Sequence, residues 1–136
     1  MLVREERRSM AAQEQRSMTG ADRARSPETD LLTRDPVLAE IVRRLVEVLQ
    51  PERIYLFGSR AQGDAGPDSD YDLLVVVPDD APPERKSSRL AYEALWGVAV
   101  PVDMVVMREE FFDKRRVVIA SLPGTVEREG QVLYAA

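Results

Sequence analysis

The sequence contains no histidine and no cysteine among its 136 residues. It therefore lacks the nitrogen and sulfur ligands that hold most zinc sites. The same absence excludes the Ser-His and Cys-His pairs that activate nucleophiles in many enzymes. Any metal ion bound by side chains must be held by oxygen, which favours Mg²⁺ or Mn²⁺ and the phosphates that usually accompany these ions.

Positive net charge and long apolar segments are also missing. The formal net charge is −5 and the pI is about 4.9, so no broad basic surface is expected for direct binding of a nucleic acid. No apolar stretch reaches the length of a signal peptide core or a membrane span. Together with the lack of cysteine, which fits a reducing interior, these properties predict a cytoplasmic protein with no membrane partner.

Charge and hydrophobicity divide the chain near residue 31. Residues 1–30 carry six arginines, six acidic residues and few apolar ones, so this segment cannot bury a core of its own. It is expected to be a polar N-terminal arm that is flexible or forms a solvated helix. Residues 31–136 have the length of one domain, so the acceptor of any transferred group is expected to come from another molecule.

Helical and strand-like segments alternate in residues 31–136, which predicts an α/β fold. Asp35 and Pro36 begin a helix with apolar residues at helical spacing, and Pro51 ends it. The other expected elements are strands at 54–57, 71–77, 100–107 and 132–134, a helical turn from Ser59, helices at 84–96 and 109–120, and a turn at 122–124.

Two polar motifs stand at the ends of the first two predicted strands. Gly58-Ser59 follows the first strand, and Asp70 and Asp72 open the second. Residues two apart in a strand point to the same face, so Asp70 and Asp72 aim their carboxylates at one point. Two like charges about 4 Å apart cost on the order of 4 kcal/mol at an effective dielectric of about 20. A divalent cation removes that repulsion.

A third carboxylate, Asp103, is the only charge in a segment otherwise suited to a core. An isolated acid there requires a partner, and none of the first three strand-like segments contains Lys or Arg. If the third strand neighbours the second, Asp103 faces Asp70 and Asp72, and the three carboxylates can hold two metal ions roughly 3.5 to 4 Å apart. Backbone N–H groups that hold Asp103 as a buried acid are the alternative.

The combination of Gly-Ser, a ten-residue spacer, Asp-x-Asp and a later strand acid resembles the minimal nucleotidyltransferases of the DNA polymerase beta superfamily. Five residues match that pattern: Gly58, Ser59, Asp70, Asp72 and Asp103. The resemblance covers about residues 37–134 and implies a polymerase-beta-like fold, in which helices flank a small mixed β-sheet. Many relatives carry Arg where this chain has Gln62, a departure that leaves the metal and phosphate motifs intact.

The resemblance implies transfer of AMP from ATP to a hydroxyl group, with release of pyrophosphate. Two Mg²⁺ ions, with Mn²⁺ as an alternative, would be held by the catalytic acids: Asp70, Asp72 and Asp103. Asp103 would also be the general base.

The nucleotide itself would be bound by the turn after the first strand. Gly58 and Ser59 would position the β- and γ-phosphates. Arg60 either contacts the triphosphate or pairs with Asp64 on the surface.

Short domains of this type resemble the antitoxin of two-component systems that pair a minimal nucleotidyltransferase with a helical HEPN ribonuclease toxin. In such a hetero-oligomer the antitoxin binds the toxin and modifies a tyrosine with AMP. Two alternatives stay open: an antitoxin that acts by binding alone, and a small-molecule nucleotidyltransferase of the aminoglycoside-modifying type. Trp96 and Phe111 are expected to lie in the core or on a partner surface.

Overall fold

The computed structural model describes residues 27–63, 65–66 and 69–136, with side chains from residue 31 onwards. The strands are β1 (Arg53–Phe57), β2 (Tyr71–Val77), β3 (Val102–Arg108) and β4 (Gln131–Ala135). The helices are α1 (Pro27–Arg34), α2 (Pro36–Leu49), α3 (Ser59–Gln62), α4 (Ser88–Ala94), α5 (Glu109–Arg115) and α6 (Leu122–Glu129), with a 3₁₀ turn at Pro83–Lys86. Most of the predicted polar arm, up to residue 26, lies outside the described residues, and its expected end at residue 30 falls within α1.

The strands form one mixed sheet in the order β3-β2-β1-β4. Strand β1 is antiparallel to both β2 and β4, whereas β2 and β3 are parallel. Strand β2 is therefore central, and its residues from Leu73 to Val77 are completely buried. The sheet and its helices confirm the α/β fold that the sequence predicts.

Alternating side chains of the strands feed two separate apolar cores, one on each face of the sheet. Helices α2 and α4 cover the face that contains Leu56, Leu73 and Leu133. Helices α5 and α6 contribute Phe112 and Val126 to the other face. In the described part of the chain, no helix combines the length and the hydrophobicity needed to cross a bilayer.

Helix α2 begins as the sequence predicts, and its cap is also tied to the central strand. The Asp35 Oδ1 atom accepts the N–H of Leu38 at 3.0 Å, and Oδ2 accepts the hydroxyl of Tyr71 at 2.7 Å. Burial, together with the hydrogen bond to Asp35, raises the pKa of Tyr71 to about 12. One carboxylate thus satisfies the helix end and connects it to the first residue of β2.

We expect Asp35→Ala to lower the free energy of unfolding by about 2 kcal/mol, because it removes an N-cap and a charge-assisted hydrogen bond. Tyr71→Phe removes only the second of these and should cost about 1 kcal/mol. Urea denaturation of both variants measures the two contributions. Equal losses in the two variants would show that the capping bond of Asp35 contributes nothing.

Three predicted boundaries are wrong, and each has a local cause. The helix expected at 84–96 is split, because Ser87 is extended and its hydroxyl caps α4 through the N–H of Arg89. The helix expected to reach residue 120 ends at Arg115, since the β-branched residues 117–119 form helix poorly. The turn expected at 122–124 is instead the first turn of α6, capped by Ser121.

The expectation that the third strand is suited to the core holds only in part. Strand β3 lies at the edge of the sheet, so only Met104 within it is buried. Asp103 and Val105 are exposed. Asp103 therefore avoids the desolvation cost of a buried charge, and the alternative of a buried acid held by backbone N–H groups does not apply.

Candidate active site

The sheet register brings two of the predicted catalytic acids side by side. Asp72 on β2 is in register with Asp103 on β3 and with Phe57 on β1. Residues in register on neighbouring strands project from the same face. The carboxylates of Asp72 and Asp103 therefore lie next to each other on the face that α5 and α6 partly cover, which fulfils the condition that the third strand neighbours the second.

The third acid, Asp70, lies close enough to Asp72 to interact with it electrostatically. Asp70 is exposed just before the first residue of β2. Burial raises the pKa of Asp72, and the neighbouring carboxylates of Asp103 and Asp70 raise it further. Within the residues that the structure describes, none of the three carboxylates forms a hydrogen bond or an ion pair. The cluster is therefore a concentration of negative charge without a protein counter-charge in that part of the chain.

Gly58 packs directly against the carboxylate of Asp72. Its backbone has φ 78° and ψ −159°, a conformation that is essentially restricted to glycine. A Cβ atom at this position would overlap Oδ2 of Asp72 and lie 3.2 Å from its Cγ. Glycine is thus required both by the backbone angle and by the close approach of the turn to the acid.

Ser59 is the first residue of α3, beside Gly58, and its side chain is exposed. Its hydroxyl has no hydrogen-bond partner in the described part of the chain. The turn therefore presents an exposed hydroxyl one residue after the glycine that packs against Asp72. This placement agrees with the predicted phosphate-binding role of Gly58 and Ser59, which stays a prediction.

The donor set suits a hard cation that shares its ligands with a nucleotide. As the side chains stand, no group of three acidic residues in the described ranges has the geometry of a complete metal site. Mg²⁺ usually takes one or two carboxylates and fills its other positions with water and substrate phosphates. Asp72 and Asp103 can supply those carboxylates, with Asp70 beside them, and the mutual repulsion of the acids is what a cation would relieve.

Arg60 is not directed towards the acids. Its Nε and Nη2 atoms donate to the carbonyl oxygen of Ser69 at 2.9 and 2.7 Å. Its Cζ atom lies 4.0 Å from the centroid of the Tyr71 ring. Because Tyr71 and Asp72 are consecutive in β2, they point to opposite faces of the sheet. The alternative pairing of Arg60 with Asp64 lies outside the described residues.

Gln62 forms a hydrogen bond with a side chain of α6. Its Nε2 atom donates to Oε1 of Glu129 at 3.0 Å, which joins α3 to α6. The position therefore contributes a tether between two helices and no positive charge.

Sequence reasoning identified Asp35 as a cap but missed its link to Tyr71 and Arg60. These residues are separated by 36 and 25 positions from Asp35, and no periodic pattern connects them. An Arg directly after the Gly-Ser pair and a Tyr between two aspartates were the only signals in the sequence. The link exists only in the folded chain, where the start of β2 lies beside the start of α2.

The mixed sheet, its flanking helices and the glycine turn against a strand carboxylate define a domain of the nucleotidyltransferase class. Residues 36–131 match the family model described as nucleotidyltransferase domain. The chain therefore belongs to this family, and its expected polymerase-beta-like fold is confirmed.

Solved structures with a similar fold include chains of toxin-antitoxin complexes. One, from a toxin-antitoxin structure with AMP-PNP, is 23% identical with a TM-score of 0.50, over 72% of this chain and 73% of that chain. Another, from a mutant of the toxin-antitoxin MntA-HpeT, is 20% identical with a TM-score of 0.49, over 72% and 73%. A search of curated proteins found no match to this chain.

Proposed function

We propose that this nucleotidyltransferase transfers AMP from ATP to a tyrosine hydroxyl of a partner HEPN ribonuclease toxin and thereby acts as its antitoxin. The observation that carries the catalytic part is the contact of Gly58 with the Asp72 carboxylate, with Asp103 in register beside it. A turn suited to phosphate, next to a pair of acids that have no cationic partner among the described residues, is an arrangement for a metal-bound nucleotide.

The chemistry assigns a task to each residue. Gly58 and Ser59 hold the β- and γ-phosphates, so that the α-phosphorus faces the incoming hydroxyl. The hydroxyl oxygen forms a bond to the α-phosphorus, the bond from that phosphorus to the bridging oxygen breaks, and pyrophosphate leaves. Asp103 accepts the hydroxyl proton, and its exposure leaves it accessible to an acceptor from outside.

Asp70, Asp72 and Asp103 are the residues that would hold two Mg²⁺ ions, with Mn²⁺ as an alternative. When bound, such ions neutralise the phosphate charge and lower the pKa of the attacking hydroxyl. The raised pKa of Asp72 supports this assignment, because burial is its main cause but repulsion from Asp103 and Asp70, which a cation would relieve, adds to it.

Exposed apolar side chains support a protein as the acceptor. Trp96 is 87% exposed, so the core position considered for it is excluded. Val117 and Ile119, in the turn between α5 and α6, are 78% and 76% exposed. Val118 between them is also exposed, so this turn presents three consecutive apolar side chains, and exposed apolar patches mark sites of protein interaction. Strand β3 is an edge strand among the described residues, and Val105 follows Asp103 on the same face, so an acceptor chain can approach the general base from that edge.

Incubation with Mg²⁺, the co-purifying partner and ATP labelled in the α-phosphate tests the proposal. We expect label on a tyrosine of the partner, and no label when the γ-phosphate carries it, because only the nucleoside monophosphate is transferred. Asp80→Asn, which alters an exposed acid in the turn after β2, should label the partner as the wild type does.

The possible results separate the three candidate functions. A tight complex without label would favour an antitoxin that acts by binding alone. Transfer of label to an aminoglycoside but not to the partner would favour the small-molecule enzyme. Label from the γ-phosphate would contradict nucleotidyl transfer altogether.

A further inference from the structure

Arg60 contacts both neighbours of Asp70 in the chain. Its guanidinium group donates two hydrogen bonds to the Ser69 carbonyl oxygen and lies 4.0 Å from the centroid of the Tyr71 ring. The residue before Asp70 is thus held through its backbone, and the residue after it through its side chain. Arg60 therefore holds the chain on both sides of Asp70.

Ser69 and Tyr71 form further hydrogen bonds of their own. The hydroxyl of Tyr71 donates to Asp35 at 2.7 Å, and its N–H donates to the carbonyl oxygen of Pro101 at 3.1 Å, just before β3. The Ser69 hydroxyl accepts the N–H of Gly66 at 3.0 Å. Arg60 therefore joins the loop before β2 to the start of that strand, at the point where Asp70 and Asp72 leave the backbone.

The position of Arg60 argues against a direct role in binding the triphosphate. It lies over Tyr71, on the face of β2 opposite to Asp72, where it lines a cavity of about 410 Å³ together with Asp35 and Gln131. Asp72 projects towards Gly58 and Asp103 on the other face. The guanidinium group would have to leave Ser69 and cross the strand to reach phosphates held at that turn.

We propose that Arg60 is a positioning residue, which clamps Ser69 and Tyr71 so that Asp70 and Asp72 stand ready for the metal ions. This inference rests on the proposed function, in that it takes those two acids as metal ligands. The clamp needs the planar guanidinium group, because the group stacks on a ring while two of its N–H donors meet one carbonyl. A lysine keeps the charge at this position but cannot reproduce that geometry.

Arg60→Lys tests the clamp in metal-free protein by hydrogen exchange at the Tyr71 amide, which is bonded to Pro101. We expect this amide to exchange roughly tenfold faster, because loss of a charge-assisted hydrogen bond weakens the closed state. Tyr71→Leu removes the ring beneath the guanidinium group and should release the neighbouring loop amide of Ser69 in the same way. Arg89→Lys, the same change at a residue 85% exposed on α4, should leave these amides unchanged.

Binding of Mn²⁺ to nucleotide-free protein, followed by electron paramagnetic resonance, gives the second measurement. Arg60→Lys should weaken Mn²⁺ binding roughly tenfold, as is typical when support for a metal ligand is removed. Excess metal should then restore turnover, with the KM for ATP within about twofold of wild type, since uniform nucleotide binding is untouched.

The results separate the clamp from the alternatives. The proposal would be overturned if Arg60→Lys left Tyr71 exchange and Mn²⁺ affinity unchanged but raised the KM for ATP at saturating metal. That result would favour direct contact of Arg60 with the triphosphate. Wild-type loop exchange in Tyr71→Leu would also overturn it. If Asp72→Asn binds Mn²⁺ as the wild type does, the metal assignment of the proposed function fails, and the exchange measurement still decides whether the clamp exists.

Discussion

Asp72→Asn is expected to abolish nucleotidyl transfer, with a fall in kcat of at least about a thousandfold, or about 4 kcal/mol of lost transition-state stabilisation. The amide keeps the shape of the side chain but removes the charge that would bind a metal ion between Gly58 and Asp103. A filter assay with ATP labelled in the α-phosphate measures the loss. Asp80→Asn removes the same charge from the exposed turn beyond β2 and should retain full activity.

The same variant should fold as well as the wild type or better. The pKa of Asp72 is raised in the fold by burial and by Asp103 and Asp70, so its ionised form is unfavourable at neutral pH when no metal is present. That penalty disappears as the pH falls through the raised pKa towards the ordinary value of 3.8. We therefore expect Asp72→Asn to be the more stable protein at pH 7 without metal, and the difference to shrink in acid.

Addition of Mg²⁺ should make the wild type more stable than Asp72→Asn. A Mg²⁺ concentration about 100 times Kd stabilises the native state by about 2.7 kcal/mol, so the Tm of the wild type should rise while that of Asp72→Asn stays in place. If Asp72→Asn loses activity but its Tm still rises with Mg²⁺ as that of the wild type does, other residues hold the metal ion. Retention of near-normal transfer would remove Asp72 from the catalytic machinery.

The sequence was sufficient to predict the elements that carry the candidate site. Short-range signals gave the strand before Gly58, the strand after Asp70 and the helix capped by Asp35, because each depends on residues close together in the chain. The neighbourhood of Asp72 and Asp103 was a conditional prediction. This prediction depended on the order of the strands, which hydrophobic patterns do not encode. The structure shows that β2 and β3 are parallel neighbours.

Other features depended on tertiary contacts that the sequence does not reveal. Strand β3 has the composition of a core strand, yet it forms an edge, since nothing in its own residues states how many neighbours it has. The contacts of Arg60 could not be predicted for the same reason, because its partners Ser69 and Tyr71 follow a loop. The error at the start of α6 was of a different kind, because the sequence does contain the signals for a helix start there. Ser121 is a capping residue and the proline at 123 suits the first turn, yet the segment was predicted to be a turn.

Gly58→Ala is expected to be the most damaging change of a single methyl group in the site. A side chain at φ 78° and ψ −159° costs about 1–3 kcal/mol of backbone strain. The added methyl group would also overlap the Asp72 carboxylate, so either the turn or the acid must move. Because a displacement of about 1 Å can cost about a hundredfold in rate, we expect kcat to fall by about that factor or more.

Gly63→Ala is the matched control. Gly63 has φ 79°, but a methyl group there would meet nothing within 4 Å, so its substitution should cost about 1–2 kcal/mol of strain with little change in kcat. Comparable losses of activity at both glycines would mean that strain alone, and no contact with the acid, accounts for the effect.

A double-mutant cycle separates the two costs at Gly58. In the Asp72→Ala background the carboxylate is absent, and a methyl group at position 58 would lie 3.4 Å from the remaining Cβ atom, an ordinary contact. We expect Gly58→Ala to lower the free energy of unfolding less in that background, by about 1 kcal/mol or more of coupling. Equal destabilisation in both backgrounds would contradict direct packing of the turn on Asp72. A positive coupling would establish that contact, on which the proposed placement of phosphate beside the acids depends.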